Sequence, residues 1–136
     1  MPKKQPALAA DAVVFDKADR LLLIRRKNAP FKGRYALPGG FVEYGETVEA
    51  AAARELHEET GLRAKSLQLI GVYSDPKRDP RGHTVSVAFL MRVDGGEPKG
   101  GDDALSAAFV ADWRGKRLAF DHDKILADAL LKKKER

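Results

Sequence analysis

The sequence predicts a single α/β domain in which a mixed β-sheet carries helices on both of its faces. The chain has 136 residues, of which 43% are hydrophobic, enough to build a core and to exclude wholesale disorder. Segments with strand-type patterning alternate with two segments that favour helices. No repeat, low-complexity tract or linker divides the chain. We therefore expect one domain over residues 1–136, an α/β/α sandwich with a polar, proline-broken tail at 1–6.

The first half of the chain predicts a pair of strands followed by a short extended piece. We expect a strand at 7–15, a turn at 16–19, and a returning strand at 20–26 that contains a buried apolar run. A loop at 27–32 contains a proline, which argues against continuing the strand. Residues 35–37 are expected to be extended, because Pro38 disfavours the helical conformation in the residue before it.

The second half predicts three strands, two loops and a closing helix. The strands are expected at 66–74, 84–93 and 107–113, and the charged or glycine-rich loops at 75–83 and 94–103. Apolar residues at helical spacing predict a helix at 123–133. The alternation of these elements agrees with the α/β/α sandwich.

Between the two halves lies an acidic segment with clear helix signals. Thr47 is a suitable N-cap, and Gly61 stands where a glycine would end the helix. Glu55, Glu58 and Glu59 are spaced i, i+3 and i+4, so a helix carries all three carboxylates on one face. Like charges at this spacing repel each other. A hard divalent cation, Mg²⁺ or Mn²⁺, would compensate them.

The segment 37–40 ends in two adjacent glycines. Without side chains, Gly39 and Gly40 bring bare backbone close to an ion or a phosphate. The unit thus predicted is a loop, a helix with acids on one face, and a second loop.

The same residues resemble a known family. The pattern G-x5-E-x7-R-E-U-x-E-E-x-G-U, where U is a bulky aliphatic residue, is that of the Nudix box. Every defined position is matched here, by these residues: Gly40, Glu46, Arg54, Glu55, Leu56, Glu58, Glu59, Gly61, Leu62. The resemblance implies the Nudix fold over nearly the whole chain and hydrolysis at the pyrophosphate of a nucleoside diphosphate linked to another group.

The resemblance also implies a role for each acidic residue. Glu55, Glu58 and Glu59 look like the metal ligands, joined by a backbone carbonyl of Gly39 or Gly40. Arg54 resembles the arginine that orients the glutamates, and Glu46 resembles a supporting carboxylate.

Two residues remain candidates for the general base that takes a proton from the attacking water. Glu59 is the first candidate within the box. Asp103 is the first candidate in the loop at 94–103, where relatives often carry a glutamate and where Glu97 and Asp102 also lie.

Substrate choice depends on weaker resemblances. The segments 74–83 and 118–122 look like those of the ADP-ribose pyrophosphatase branch, which implies hydrolysis of ADP-ribose to AMP and ribose 5-phosphate. Two alternatives remain: a Nudix hydrolase for another nucleotide, such as an oxidised nucleoside triphosphate or a dinucleoside polyphosphate, and a sensor that binds ADP-ribose without cleaving it. The intact acids argue against the sensor.

The charge of the chain adds candidates for substrate binding. The net charge is +5 although the acidic segment is negative, so the excess basic residues lie elsewhere and suit a polyanionic partner. Candidates for phosphate contacts are Arg25, Arg26, Arg78 and Arg81. Phe31 and Tyr35, with Phe120, are candidates to stack on adenine. No motif supports a nucleic-acid partner.

Composition narrows the remaining classes. The chain has no cysteine, which excludes disulfides, zinc–thiolate sites and a cysteine nucleophile. No apolar run is long enough for a membrane span or a signal peptide, so we expect a cytoplasmic protein. The resemblance further implies a homodimer.

Overall fold

The computed structural model describes residues 4–100 and 104–134. The element order is β1 Ala7–Val14, β2 Leu21–Arg26, β3 Tyr35–Ala36, β4 Gly39–Phe41, α1 Val48–Thr60, β5 Ala64–Tyr73, β6 Thr84–Val93, β7 Ala104–Val110 and α2 His122–Lys134. A single 3-10 turn, Trp113–Gly115, lies between β7 and α2. The candidate bases Asp102 and Asp103 fall outside the described residues.

The strands form two sheets. The larger has the order β4-β1-β6-β5 and the smaller the order β3-β2-β7. β1 runs parallel to β6, whereas β4 pairs with β1 and β5 with β6 in antiparallel fashion. The larger sheet is therefore mixed, as predicted, and the smaller one is antiparallel.

The two helices cover opposite faces of the sheets, which confirms the α/β/α sandwich. Alternate residues of β1 point to opposite sides: Ala10 and Val14 join the core cluster that contains Leu56 of α1, while Val13 joins the cluster that contains Ile125 of α2. This alternation follows from the two-residue period of a strand. Because both faces are covered, β1 is apolar along nearly its whole length.

Two elements differ from the sequence prediction. β7 runs from Ala104 to Val110 rather than over 107–113, because its pairing with β2 ends at Val110 and the buried Trp113 begins the 3-10 turn. β4 was not predicted, since glycine has a low strand propensity. Its residues Gly39 and Gly40 pair with Asp11 and Ala10 of β1, so tertiary pairing decides their conformation.

The ends of α1 agree with the sequence. The Thr47 side chain accepts a hydrogen bond from the Ala50 backbone N–H at 3.0 Å. Gly61 has a φ of 78°, a left-handed conformation that glycine adopts without strain, and its N–H donates to the His57 carbonyl. These caps determine where the acidic face begins and ends.

Within residues 4–100 and 104–134, no helix has the length and apolar character needed to cross a membrane.

Candidate active site

An open cleft of about 430 Å³ lies beside the glycine pair. β1, β2 and β4 contribute to its walls, together with the acidic face of α1, the loop at 75–83 and the beginning of α2. The cleft thus collects residues from distant parts of the chain.

The Arg54 guanidinium organises the acidic face of α1. Its Nε and Nη2 donate to the two carboxylate oxygens of Glu46 at 2.7 and 2.9 Å. Nη1 donates to Glu55 at 2.8 Å and to Glu58 at 3.1 Å, and Nη2 also donates to the Phe41 carbonyl at 3.0 Å. All five N–H groups of the guanidinium are therefore used. Arg54 therefore contacts Glu46, Glu55 and Glu58 at once.

Glu46 supports this arrangement from the loop before the helix. Hydrogen bonds from Arg54, and one from the Glu43 backbone N–H, lower the pKa of Glu46 to about 2. The carboxylate is therefore ionised throughout the neutral range, and it holds Arg54 in place rather than facing the cleft.

β4 meets the acidic face at two contacts. The Gly39 backbone N–H donates to Glu59 Oε1 at 2.7 Å. Glu55 lies so close to Gly40 that a Cβ built there would stand 2.5 Å from Glu55 Oε2. Only glycine leaves room for this carboxylate, so the glycine pair and the acidic helix form one unit.

These residues fit a hard divalent cation. The set offers only oxygen donors, the Glu55 and Glu59 side chains line the cleft beside the glycine backbone, and no thiolate competes. Glu58 stands further out, with 42% of its side chain exposed. Within the described residues no three His, Cys, Asp or Glu side chains already converge on one point. Instead, the carboxylates hydrogen-bond to Arg54 and Gly39.

Asp11 is a cleft residue that the sequence analysis missed. Its side chain lies in the middle of β1, 6% exposed, and a Cβ on Gly39 would stand only 2.1 Å from Asp11 Oδ1. Among the described residues, its Oδ2 is the buried side-chain oxygen without a hydrogen-bond partner. Leaving such an atom unpaired costs about 1–3 kcal/mol. The available signal was a charged residue at an inward position of an otherwise apolar strand.

Burial determines the protonation of Asp11. Loss of solvent raises the pKa of Asp11 to about 7, although the nearby Arg78 charge and a hydrogen bond from Ser86 act in the opposite direction. The acid is thus only partly ionised at neutral pH.

Arg78 lies against the cleft, but its hydrogen bonds are made within the protein. Its side chain is 5% exposed and donates to both carboxylate oxygens of Asp121, at 2.8 and 2.6 Å. A further nitrogen donates to Ser86 Oγ at 2.9 Å. Arg78 therefore ties the loop at 75–83 to the start of α2 and to the cleft floor.

His122 begins α2 and is buried at the cleft. The Leu37 backbone N–H donates to His122 Nδ1 at 3.0 Å. Burial lowers the pKa of His122 to about 4, so the ring is neutral and carries its proton on Nε2. His122 thereby joins the start of α2 to the segment between β3 and β4.

Two of the predicted arginines stand at the cleft mouth. Arg26 donates to the Pro30 carbonyl at 2.7 Å, and its guanidinium lies 4.8 Å from the Phe120 ring centre. Arg81 is held by Asp79 at 2.8 Å and lies 5.5 Å from the ring centres of both Phe41 and Phe120. Both arginines line the cleft, as expected.

Arg25 and Tyr35 do not line the cleft, contrary to the sequence prediction. Strand alternation turns Ile24 and Arg26 toward it and Arg25 away. Tyr35 pairs with Arg25 across the sheet, and the guanidinium lies 4.5 Å from its ring centre. The sequence did not determine which face each strand residue occupies, and the structure places these two side chains away from the cleft.

Phe31 supports the cleft only indirectly. Its ring packs edge-on against Phe120 at 4.9 Å between ring centres, whereas Phe120 itself lines the cleft. Of these two aromatic residues, Phe120 lines the cleft and Phe31 does not.

Comparison with known proteins agrees with this geometry. The family model of the NUDIX domain matches residues 5–131. The chain belongs to the NUDIX family. The resemblance carried by the residues from Gly40 to Leu62 is thereby confirmed, and the NUDIX fold extends over nearly the whole chain.

Three NUDIX relatives are informative. An ADP-ribose pyrophosphatase of Methanocaldococcus jannaschii is 57% identical over 123 residues, which cover 90% of this chain and 72% of that protein. The ADPR responsive transcriptional repressor NtrR of Acinetobacter baylyi is 33% identical over 91% of this chain, and the match spans only 53% of the repressor. The NUDIX domain of Shewanella oneidensis NrtR, solved with ADP ribose, superposes with a TM-score of 0.87 at 28% identity, covering 96% of this chain and 90% of that one.

Proposed function

We propose that this NUDIX protein hydrolyses the pyrophosphate bond of ADP-ribose to give AMP and ribose 5-phosphate, with Mg²⁺ or Mn²⁺ as cofactor. The single observation that carries the proposal is the contact of the acidic face of α1 with the glycine pair of β4 at the edge of a cleft. That arrangement offers oxygen ligands and bare backbone at one place, which is what a metal-assisted phosphoryl site requires.

The site residues divide the chemistry among them. A bound divalent ion supplies neutralisation of the pyrophosphate charge and a more acidic water. Glu55, Glu58 and Glu59, with a carbonyl of Gly39 or Gly40, would hold that ion. Arg54 keeps the carboxylates oriented through its hydrogen bonds to them and to Glu46.

Two groups are candidates to accept the proton of the attacking water. Glu59 lines the cleft and is only 4% exposed, which supports it. Asp103 is the candidate in the loop after β6. Substitution of each by its amide distinguishes them: loss of the acidic limb of the pH–rate dependence, where the rate falls as the base is protonated, accompanies loss of the true base.

The choice of ADP-ribose as substrate is supported by sequence similarity. The M. jannaschii pyrophosphatase is the relative with 57% identity, and the match covers most of both chains. Arg26 and Arg81 bring positive charge to the cleft mouth, beside the Phe120 ring. We propose that these arginines contact the phosphates and that Phe120 stacks on adenine.

We further propose that the protein acts in the cytoplasm as a homodimer. Exposed apolar side chains on the edge strand β5, Leu69 and Val72, which are 52% and 59% exposed, would suit a contact between copies. Sedimentation equilibrium of the full chain tests the dimer.

The function is tested by incubation with Mg²⁺ or Mn²⁺ and a panel of ADP-ribose, NADH, dGTP, 8-oxo-dGTP and diadenosine polyphosphates, with the products separated by chromatography. The expected result is the highest kcat/KM for ADP-ribose, with AMP and ribose 5-phosphate formed in equal amounts. A preference for dGTP or 8-oxo-dGTP would contradict the proposal that ADP-ribose is the substrate. Binding of ADP-ribose without turnover would instead indicate a sensor. This outcome is worth testing because the chain is similar to the ADPR responsive repressor NtrR.

A further inference from the structure

The floor of the cleft contains an acceptor that the pyrophosphate chemistry does not use. Asp11 lies on β1 and is only 6% exposed to solvent. It lines the cleft directly beside Gly39. Its Oδ2 has no hydrogen-bond partner among the described residues. A buried carboxyl oxygen without a partner in the protein is a position for a hydrogen bond from a ligand.

Residues from two other segments meet beside Asp11. Ser86 on β6 lies near the Asp11 carboxyl and lines the same cleft. Ser86 Oγ accepts from Arg78 at 2.9 Å, and Arg78 is paired with Asp121. The loop at 75–83 and the residue before α2 therefore close the surroundings of Asp11.

A donor stands at the same cleft. The Leu37 N–H donates a hydrogen bond to His122 Nδ1. Nδ1 is therefore the acceptor of the neutral ring, and the ring proton lies on Nε2. His122 lines the cleft with Asp11. Among the described residues the one hydrogen bond of its ring is made through Nδ1, so Nε2 has no acceptor there. The cleft floor thus offers one acceptor from Asp11 and one donor from His122.

The position of this pair selects the kind of group it binds. The Asp11 carboxyl accepts hydrogen bonds from hydroxyl groups, whereas the oxygens of an ionised pyrophosphate carry no proton to donate to it. In a nucleoside diphosphate derivative the group next to the pyrophosphate is a sugar, whereas the base lies several bonds further away. The aromatic residues Phe41 and Phe120 stand at the mouth of the cleft and suit the base.

We propose that Asp11 and His122 form a subsite that binds the hydroxyl groups of a ribose attached to the pyrophosphate. The proposal rests on the proposed function, because it assumes that a phosphorylated sugar occupies this cleft. It extends that function by naming the residues that distinguish ribose from deoxyribose.

The test measures binding rather than turnover. Calorimetry on the full chain in EDTA compares two pairs of probes: ribose 5-phosphate with 2-deoxyribose 5-phosphate, and AMP with dAMP. In the wild-type protein we expect at least one ribose compound to bind about 10-fold or more tightly than its deoxy partner, because a buried acceptor is left unpaired by the deoxy sugar. Equal binding within both pairs, or no binding of any probe, overturns the proposal.

Variants then assign the discrimination to Asp11. Asp11→Asn is expected to reduce the ratio to within about 3-fold, since the amide is a weaker acceptor than the carboxylate. The matched control is Asp128→Asn, an aspartate that accepts from Tyr73 outside this cleft and should keep the wild-type ratio. If Asp11→Asn does not fold, the comparison of probes on the wild-type protein still decides. An unchanged ratio in a folded Asp11→Asn overturns the proposal.

Two further measurements separate other roles for Asp11. Mn²⁺ affinity, followed by electron paramagnetic resonance, is expected to be the same in Asp11→Asn and wild type; a 10-fold loss would make Asp11 a metal ligand and overturn the proposal. If the protein distinguishes AMP from IMP but does not distinguish ribose from deoxyribose, Asp11 and His122 bind the base rather than the sugar. That result would also overturn the proposal. Failure of the wild-type protein to hydrolyse ADP-ribose would contradict the proposed function alone, because the binding comparison needs no turnover.

Discussion

Arg54 donates two parallel hydrogen bonds to Glu46, at 2.7 and 2.9 Å, across eight positions of the sequence. The same guanidinium reaches Glu55 and Glu58 with its remaining terminal nitrogen. One guanidinium thereby links a loop carboxylate to two carboxylates of the helix. The geometry depends on a planar group with five donors, which lysine does not have.

We therefore expect Arg54→Lys to raise the Mg²⁺ concentration needed for half-maximal activity by about 10-fold or more, with the helix still formed. The measurement is activity as a function of Mg²⁺, with circular dichroism for the fold. Arg63→Lys, at an exposed position just after the helix, is the matched control. A normal Mg²⁺ requirement in Arg54→Lys would contradict the orienting role.

Gly40→Ala tests the contact between β4 and α1. The new Cβ would stand 2.4 Å from Glu55 Cδ, the far end of a side chain that can turn away. We expect the fold to remain and kcat to fall by about 100-fold or more, because a small displacement of a catalytic group has such effects. Gly95→Ala, where nothing lies within 4 Å of an added Cβ, should leave kcat unchanged. Equal kcat values in the two variants would contradict a role of the Gly40–Glu55 contact in catalysis.

Glu58→Gln tests the metal assignment at the most exposed acid of the set. We expect most activity to be lost with little change in the thermal unfolding temperature, because the side chain is 42% exposed and its pairing with Arg54 contributes little to stability. Glu49→Gln, on the first turn of the same helix, is the control that should remain active. Full activity in Glu58→Gln would refute its assignment as a ligand.

Arg81 and Arg25 are expected to differ although both were predicted to bind substrate. Arg81→Ala should raise KM by about 10-fold, because its guanidinium stands at the cleft mouth between Phe41 and Phe120. Arg25→Ala should leave KM within about 2-fold of wild type, because its guanidinium lies over Tyr35 on the other face of the sheet. Steady-state kinetics of both variants provide the comparison, and a larger effect in Arg25→Ala would be inconsistent with the orientation of β2.

His122 gives stability a defined pH dependence. Burial lowers the pKa of His122 from 6.5 to about 4, so the unfolded chain binds a proton that the folded chain does not over this interval. Its contribution is complete above pH 6.5 and is lost as the pH falls toward 4. The reference is His122→Asn, which keeps an acceptor for the Leu37 N–H but does not titrate. Relative to this variant, the free energy of unfolding of the wild type should fall by up to about 3 kcal/mol as the pH drops from 6.5 to 4.

Urea unfolding of both proteins at several pH values measures this difference directly. Taking the difference also removes most of the opposing contribution of Asp11, whose pKa is raised. A constant difference between wild type and His122→Asn would contradict the neutral state of the buried ring.

Local signals made much of this protein predictable. Thr47 and Gly61 bound α1 as expected, because cap residues act through their immediate neighbours in the chain. The strand Thr84–Val93 was predicted with its bounds, since alternation and turn residues are also local. The i, i+4 spacing of Arg54 and Glu58 on one helix likewise makes their contact a consequence of helical geometry.

The sequence by itself determined the acidic helix, its caps and the oxygen ligands that it presents, because each of these depends on residues within one or two helical turns. Only the tertiary structure decided which residues meet that helix. The pairing of β4 with β1 brings Gly39 beside Asp11, although 28 positions separate them in the chain. The orientation of β2 turns Arg26 into the cleft and Arg25 out of it. Such placements depend on strand register and on burial against distant segments, and no local pattern encodes them.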